Sequence, residues 1–583
     1  MLKDLINIHK ILSKNEKRGL IYNLFFKIIL SIFEAATVLS FVPFLSMVSN
    51  QETFLQNKYL LLLTSNFNLN SEDIYILVIL IPLFAVICMN LFRPFVAWHS
   101  SRTAAKIWLS KSFDIFNYYL NKNYLFHINN STNTLLEKLL QRTNSAIAGV
   151  IVPSYEILGA IFSSIFLILI PILYDPYVGL ICFFLIIFFY FVFYQSFRKK
   201  IREFGKYQPV FAQQTYKLVD ESFKSIKDIK LRKNYNFFSE QYWSKIKKYA
   251  DNSVVFDLYS ATPRSISEIF GFSFLLISSL FLLVILNNKF ASSIITLGVY
   301  LLALQRLIPI IQNLFQQISQ YKLYKDSFYS IYDDFLNSYE FKISSKKINN
   351  EKRLNELIFN DEISLKNIEF SYPNNKNFDL KVENLIIKKG EILGISGKSG
   401  HGKSTFINII CGLLEPSKGK LFVDKKEVND SNIDSFQKNI SYVPQNIFIL
   451  DDTIEKNIAF GVDKKSINIE KVKNAARIAG ISEFIENELE KKYETIVGEN
   501  AIKLSGGQRQ RLGLARSLYE EKQILILDEA TNSLDKNIEN QIINNIYAMK
   551  NKTIILVTHN QLILKRLPKV LYFDKGKLNL ERN

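Results

Sequence analysis

Up to about Tyr339 the chain is built of long apolar runs separated by charged connections; beyond it, short apolar runs alternate with polar turns. A helix needs about 20 apolar residues to cross the hydrocarbon core of a bilayer. Six runs reach that length, at roughly 20–47, 73–98, 147–173, 176–196, 266–287 and 293–316. The third and fourth meet at Tyr174-Asp175-Pro176, and the fifth and sixth at Asn287-Asn288-Lys289, so each pair is predicted to form a tight helical hairpin. The pattern predicts a membrane α-helical domain with six transmembrane helices over 1–339, a linker over 340–360, and a soluble α/β domain over 361–583.

Apolar residues also recur at helical spacing among the charges of Ala97–Tyr119 and Ser196–Ile229. The spans are therefore expected to run on into the cytoplasm and turn near Asn123–Asn133 and Ser222–Arg232, with short helices at those tips meeting the soluble domain. Lys and Arg crowd these long connections, whereas the segments on the other side carry only Lys58 and Lys289. The positive-inside rule then puts the N-terminus, both long connections and the C-terminal half in the cytoplasm. The opening MLKDLINIHKILSKNEKRG carries Asp4 and Glu16 and no small-residue cleavage site, so it is not a signal peptide. It reads as an amphipathic helix lying on the inner membrane surface. The apolar stretch Tyr59–Leu63 is too short to span and reads as a small helix on the outer leaflet or as a packed loop.

Net charge changes this picture little. The chain of 583 residues carries +18, but the basic stretches KKIREFGK (199–206) and KSIKDIKLRK (224–233) flank apolar runs, as suits anionic headgroups. No nucleic-acid-binding motif accompanies them. Cys88, Cys182 and Cys411 form no cluster, which excludes a disulfide framework or zinc site and leaves buried small apolar residues. Arg93, Arg264 and Arg306 stand inside or at the edges of spans, with Glu34 and Glu268 as available partners. Intramembrane charge is costly and faces a cavity or a partner. Surplus arginine in a cavity suits an anionic cargo, because guanidinium forks match phosphate oxygens; internal ion pairing or snorkelling is the alternative.

The soluble half carries the chemistry. EILGIS (391–396) is strand-like and leads into GKSGHGKST, that is Gly397, Lys398, Ser399, Gly400, His401, Gly402, Lys403, Ser404 and Thr405, followed by a helical run. Strand, glycine-rich loop and helix N-terminus in this order make a phosphate cradle. Lys403 would reach the β- and γ-phosphates of ATP, and the Ser404 hydroxyl would ligate Mg²⁺. A second strand, Ile524–Leu527, ends in Asp528, suited to Mg²⁺, and Glu529, suited to polarising an attacking water.

Between them lies LSGGQ: Leu504, Ser505, Gly506, Gly507 and Gln508. The phosphate loop, LSGGQ, ILILDE and SLD together resemble the ATP-binding cassette (ABC) family, and six spans followed by one cassette resemble its half-transporters along the whole chain. The resemblance implies that Tyr372 stacks on adenine, that Gln445 in YVPQN links the Mg²⁺ site to the membrane helices, that Asp535 belongs to the D-loop, and that His559 contacts the γ-phosphate. It also implies that Ser505–Gln508 close over ATP held by another copy, so that two identical chains pair around two active sites. Asn560 departs from the pattern, since exporters often carry Arg there.

Glu34, NKYL (57–60), PRxxxE (263–268) and RLIP (306–309) further resemble the bacterial lipid-linked oligosaccharide flippases of protein glycosylation. That resemblance implies a multi-pass protein of the bacterial inner membrane carrying a polyprenyl-diphosphate sugar outward, with Arg93, Arg264 and Arg306 near the diphosphate. Export of another lipid, a peptide or a hydrophobic drug is the competing expectation.

Overall fold

The computed structural model describes residues 2–49, 51, 54, 70–174, 176, 195, 199, 203, 205, 207, 210–211, 213–280, 290–348, 357–373, 379–498, 504–531, 534–549 and 552–581. Contacts divide the chain into two units, Met1–Lys122 with Asn129–Ser345, and Asn123–Ile128 with Lys346–Asn583.

The first unit is helical. Among the described residues, four helices are long and apolar enough to cross a membrane: Lys14–Ser49, Glu72–Leu120, Thr132–Leu173 and Ile295–Ser344. They contain the first, second, third and sixth predicted runs. The fifth begins inside the helix Tyr235–Leu280, with its remainder outside the described residues, and nearly all of the fourth lies outside them too. The Tyr59–Leu63 stretch is likewise not described. The helix Ser71–Leu120 has 50 residues. At about 1.5 Å per residue it is more than twice as long as the roughly 30 Å hydrocarbon core, so an apolar run at one end leaves the other end protruding.

Val38, Leu167, Ile170, Val299, Ala303 and Leu307 pack a buried seam between three of these helices. The third helix contains two π-helical segments, Glu137–Arg142 and Ile147–Ile151. In the first of them Arg142 Nε pairs with Glu137, 2.6 Å away and five residues back. The predicted N-terminal helix is present as Leu2–Ile11. Its buried face rests on protein: Ile8 and Ile11 are fully buried, and Asp4 accepts hydrogen bonds from Tyr321, Lys325 and Tyr329 of the last helix. A buried carboxylate needs such partners.

The second unit holds a sheet of ten strands among its described residues, in the order β5-β4-β1-β2-β10-β9-β3-β8-β7-β6. β1 (Glu362–Ser371), β2 (Asp379–Lys388), β4 (Lys418–Val423) and β5 (Lys426–Glu427) form an antiparallel half. β3 (Ile392–Gly397), β8 (Thr553–Val557), β7 (Ile524–Asp528) and β6 (Ile440–Val443) run parallel, with β9 (Lys569–Asp574) beside β3 and β10 (Lys577–Glu581) beyond it. β7 and β8 are buried at every position, as parallel strands covered on both faces must be. The tip helix Tyr124–Asn129 contributes its residues up to Ile128 to this unit, and Leu125 packs on the core around Phe359 and Phe406. The other predicted tip is the helix Ile226–Arg232 of the first unit.

Candidate functional site

In parallel sheets, ligands bind beyond the carboxyl ends of the strands, and here those ends gather the predicted chemistry. β3 runs into the phosphate loop at Gly397, whose φ of 142° only glycine adopts freely. A Cβ at this position would collide with the Phe573 carbonyl of β9. Gly402, at φ 101°, then turns the chain into the helix Lys403–Ile410. Lys403 is buried and donates to the carbonyls of Gly397 (2.7 Å) and Lys398 (3.2 Å), folded across its own loop. Burial lowers its pKa, while the nearby Glu529 and Asp528 carboxylates oppose that. A phosphate in the loop would supply the counter-charge that burial calls for. Lys398, Ser399, Gly400 and Ser404 are exposed around it, and Thr405 is buried.

Asp528 closes β7 and is nearly buried; the Tyr442 hydroxyl on β6 donates to it at 3.1 Å. Burial raises its pKa, and the adjacent Glu529 charge adds to that. A divalent cation would reverse both effects. Glu529 itself takes a left-handed φ of 53°, a conformation costing about 1–3 kcal/mol for a non-glycine residue. Its backbone N–H is held by the Val557 carbonyl at the end of β8, 3.1 Å away. The turn aims its carboxylate at two other predicted site residues: Gln445 Nε2 donates to Oε2 at 2.8 Å, and His559 Nε2 lies 3.2 Å from Oε1. His559 Nε2 is also 3.4 Å from Lys403 Nζ. Four segments distant in sequence thus bring Lys403, Gln445, Glu529 and His559 to one place beside Asp528.

The donors at hand are oxygens: the Ser404 hydroxyl, the Asp528 carboxylate and the Gln445 carbonyl, whose amide nitrogen serves Glu529. This set suits Mg²⁺, a hard cation that keeps several water or phosphate ligands. No group of three or more His, Cys, Asp or Glu that could hold a metal occurs among the described residues, which excludes there only an all-protein cage.

Other predicted residues lie around the cradle or apart from it. The Tyr372 hydroxyl is 3.2 Å from Thr405 Oγ1, beside the loop, and its ring meets Phe370 edge-on. The His401 side chain turns away, accepting the Lys575 N–H at 3.2 Å with Asp574 Oδ1 3.3 Å distant. Ser505 caps the helix Gly506–Leu518 in a reciprocal box: its Oγ accepts the Gln508 N–H at 3.2 Å, and Gln508 Oε1 accepts the Ser505 N–H at 2.7 Å. Leu504 is buried beneath it, while Ser505 and Gly506 are exposed. The hydrogen bonds recorded for Ser505 and Gln508 close on that box, and none joins the phosphate loop of the same chain among the described residues. Asp535 is the exposed N-cap residue of the helix Lys536–Tyr547. Burial pushes the Cys411 thiol up to about 12, with the Asp528 charge adding to it, so it is an inert apolar residue.

Sequence reasoning missed Tyr442 and a trio around the buried Glu539. Thr531 Oγ1 and Asn560 Nδ2 donate to Glu539 at 2.7 and 3.0 Å. Asn560, the departure from the family pattern, therefore neutralises nothing; it holds Glu539 and caps the helix Gln561–Leu564. Only the S-x-x-Q spacing of the Ser505 box gave a local signal.

The first unit holds a cavity of about 590 Å³ whose lining includes Lys27, Glu34, Arg93, Glu156 and Arg306, among both polar and apolar neighbours. Arg93 pairs with Glu34 at 2.7 Å, and Lys27 pairs with Glu156. Two carboxylates thus meet three cations, and Arg306 has no ion-pair partner among the described residues. Arg264 lies on the helix Tyr235–Leu280, but its side chain, and so its predicted pairing with Glu268, is outside the described residues.

The ABC transporter family model matches residues 380–532. The chain is 36% identical over 217 residues to the ATP-dependent lipid A-core flippase of Hahella chejuensis, covering 37% of each. It is 37% identical over 216 residues to the alpha-hemolysin translocation ATP-binding protein HlyB of Escherichia coli O157:H7, covering 37% of this chain and 30% of that one. The alignments therefore span about a third of the length of these curated relatives. Among solved structures, a bacterial Atm1-family ABC exporter with ATP bound superposes with a TM-score of 0.73 at 20% identity, over 96% of this chain and 94% of that one. By sequence the chain is similar to ABC transporters over residues 380–532, and its fold is that of an ABC exporter, a helical membrane domain followed by a cassette.

Proposed function

We propose that the chain is an ATP-driven half-transporter that pairs with a second copy in the bacterial inner membrane and flips a polyprenyl-diphosphate sugar from the cytoplasmic to the outer leaflet. In this reading residues 1–339 span the membrane six times, and 361–583 form a cytoplasmic cassette. Gly397–Thr405 would cradle the ATP phosphates, with Tyr372 against the base. Ser404, Asp528 and Gln445 would hold Mg²⁺. Glu529 would act as general base, oriented by Gln445 and His559. Mg²⁺ would supply charge neutralisation at the phosphates; the protein's own part is to hold Glu529 and His559 at the open end of the loop. Ser505–Gln508 and Asp535 would complete the site of the partner copy.

The observation that carries the motor is the convergence of Gln445 and His559 on Glu529 next to Lys403. The observation that supports an anionic cargo is the cavity in which Arg306 has no ion-pair partner among the described residues. The lipid A-core flippase and the hemolysin translocator named above favour a second reading, export of another lipid or of a polypeptide. One experiment separates them: loss of a fluorescent polyprenyl-diphosphate sugar from the cassette-facing leaflet of proteoliposomes, with Glu529→Gln as control. ATP-dependent loss with the unaltered protein alone is the expected result. No movement by protein that still hydrolyses ATP would discard the diphosphate-lipid cargo in favour of the second reading.

A further inference from the structure

The last long helix, Phe290–Ile348, divides two cavities of opposite chemistry. At about 3.6 residues per turn, Leu301, Leu304, Ile308 and Gln312 share one face of it, and Arg306, Asn313 and Gln317 share the opposite face. The lining residues follow that division. The second face lines the charged cavity of about 590 Å³. The first closes another cavity, of about 530 Å³, against Gly271, Phe272 and Leu275 of the helix Tyr235–Leu280. Gln305 and Pro309 sit on the edge between the faces and line both cavities. Pro309 has no N–H, so the Gln305 carbonyl loses its helical donor at that shared edge.

Gly271 lets the two helices approach closely at one wall of the second cavity. A Cβ at Gly271 would come within 3.3 Å of Ile308 Cδ1 and 3.9 Å of Leu304 Cδ1. The cavity's volume lies in the range of sites that enclose small organic groups, and half of its lining residues are leucine, isoleucine or phenylalanine, with Glu268, Gln305 and Gln312 as the polar members.

We propose that this second cavity is a subsite for the hydrocarbon chain next to the head of an anionic lipid, whose phosphate group lies across Gln305 and Pro309 at Arg306. The proposal rests on the diphosphate-lipid reading above and deepens it. An amphiphile needs a charged compartment and an apolar one within the length of its own junction, and the shared edge of one helix provides both. A free sugar diphosphate, which carries no hydrocarbon, has no use for the second compartment. The head group is thus read by charge and the proximal chain by shape, while the remainder of a long chain stays in the bilayer.

The test uses the full-length protein in nanodiscs and two probes: a long-chain polyprenyl-diphosphate sugar, and the same diphosphate sugar on a short alkyl chain. Half-saturating concentrations are read from stimulation of ATP hydrolysis. Burying about two further methylenes is worth about tenfold in affinity, so the long-chain probe is expected to act at least about tenfold more strongly. Gly271→Leu, which fills the cavity from one helix, should abolish that difference by weakening the long-chain probe alone. Leu301→Trp fills it from the other helix, should do the same, and stands in if Gly271→Leu does not fold. Equal weakening of both probes, or no change with either filled cavity, would overturn the subsite. An unaltered protein that answers both probes equally, in a manner lost in Arg306→Ala, keeps the diphosphate cargo and removes the subsite. A protein that answers neither probe removes the diphosphate reading, and the subsite with it.

Discussion

At the scale of single residues, Glu529 concentrates the strain and the chemistry of the cassette. Its left-handed backbone is held from below by Val557, and its carboxylate is held by Gln445 and His559. Glu529→Gln preserves shape and removes the base. It is expected to bind nucleotide while hydrolysis falls by about 10²–10⁴-fold, the range for loss of general-base assistance. Equilibrium binding of a labelled nucleotide beside a phosphate-release assay checks both halves; near-normal turnover would remove Glu529 from that role. Asn560 gives a second test. Asn560→Ala strips a donor from the buried Glu539, which should cost about 1–3 kcal/mol and lower the cassette's melting temperature, while Asn560→Arg should restore a partner. The residues of the phosphate loop, Asp528, Glu529 and His559 were legible because each stands in a short motif of fixed spacing. Tyr442, Thr531 and Glu539 were not, because their contacts depend on which strands and helices end up adjacent.

At the scale of elements, run length and periodicity were enough for the four membrane-length helices found among the described residues, since a span of about 20 apolar residues has few alternatives in lipid. The tip helix Tyr124–Asn129 was also legible, as a break between two helical stretches. The two π segments were not, because nothing in EKLLQR or IAGVI differs locally from an α-helix. The first carries an ion pair at a spacing of five, between the buried Glu137 and the partly buried Arg142. Removing one partner leaves the other charge uncompensated, which costs about 3–5 kcal/mol in such settings. Glu137→Ala should therefore lower the thermal stability of the membrane unit in detergent clearly more than the exposed Glu221→Ala, whose partner Lys217 is solvated. Equal small shifts would mean that the wide turn is held by other contacts. The N-terminal helix shows the limit of amphipathicity as a guide: the periodicity predicted its apolar face but not that Tyr321, Lys325 and Tyr329, over three hundred residues away, would take up Asp4.

At the scale of the whole molecule, the signature helix poses the remaining problem. The Ser505–Gln508 box satisfies its own hydrogen bonds and leaves Ser505 and Gly506 facing solvent at a helix N-terminus, a place where backbone N–H groups favour an anion. The phosphate loop, meanwhile, is open on its outer side, with Lys398, Ser399, Gly400 and Ser404 exposed. Two half-sites on one chain would become two whole sites if a second copy turned its signature toward the first copy's loop. This arrangement predicts complementation. Chains with Lys403→Ala and chains with Gly506→Asp should each be inactive as purified homodimers. Co-expressed with different affinity tags and isolated as mixed dimers, they place both lesions in one composite site. The other site then keeps an intact loop from one chain and an intact signature from the other, so hydrolysis should return. Were each site built within a single chain, every site in the mixed dimer would carry a lesion and hydrolysis would stay absent. The outcome therefore decides whether dimerisation is part of the chemistry or only of the architecture.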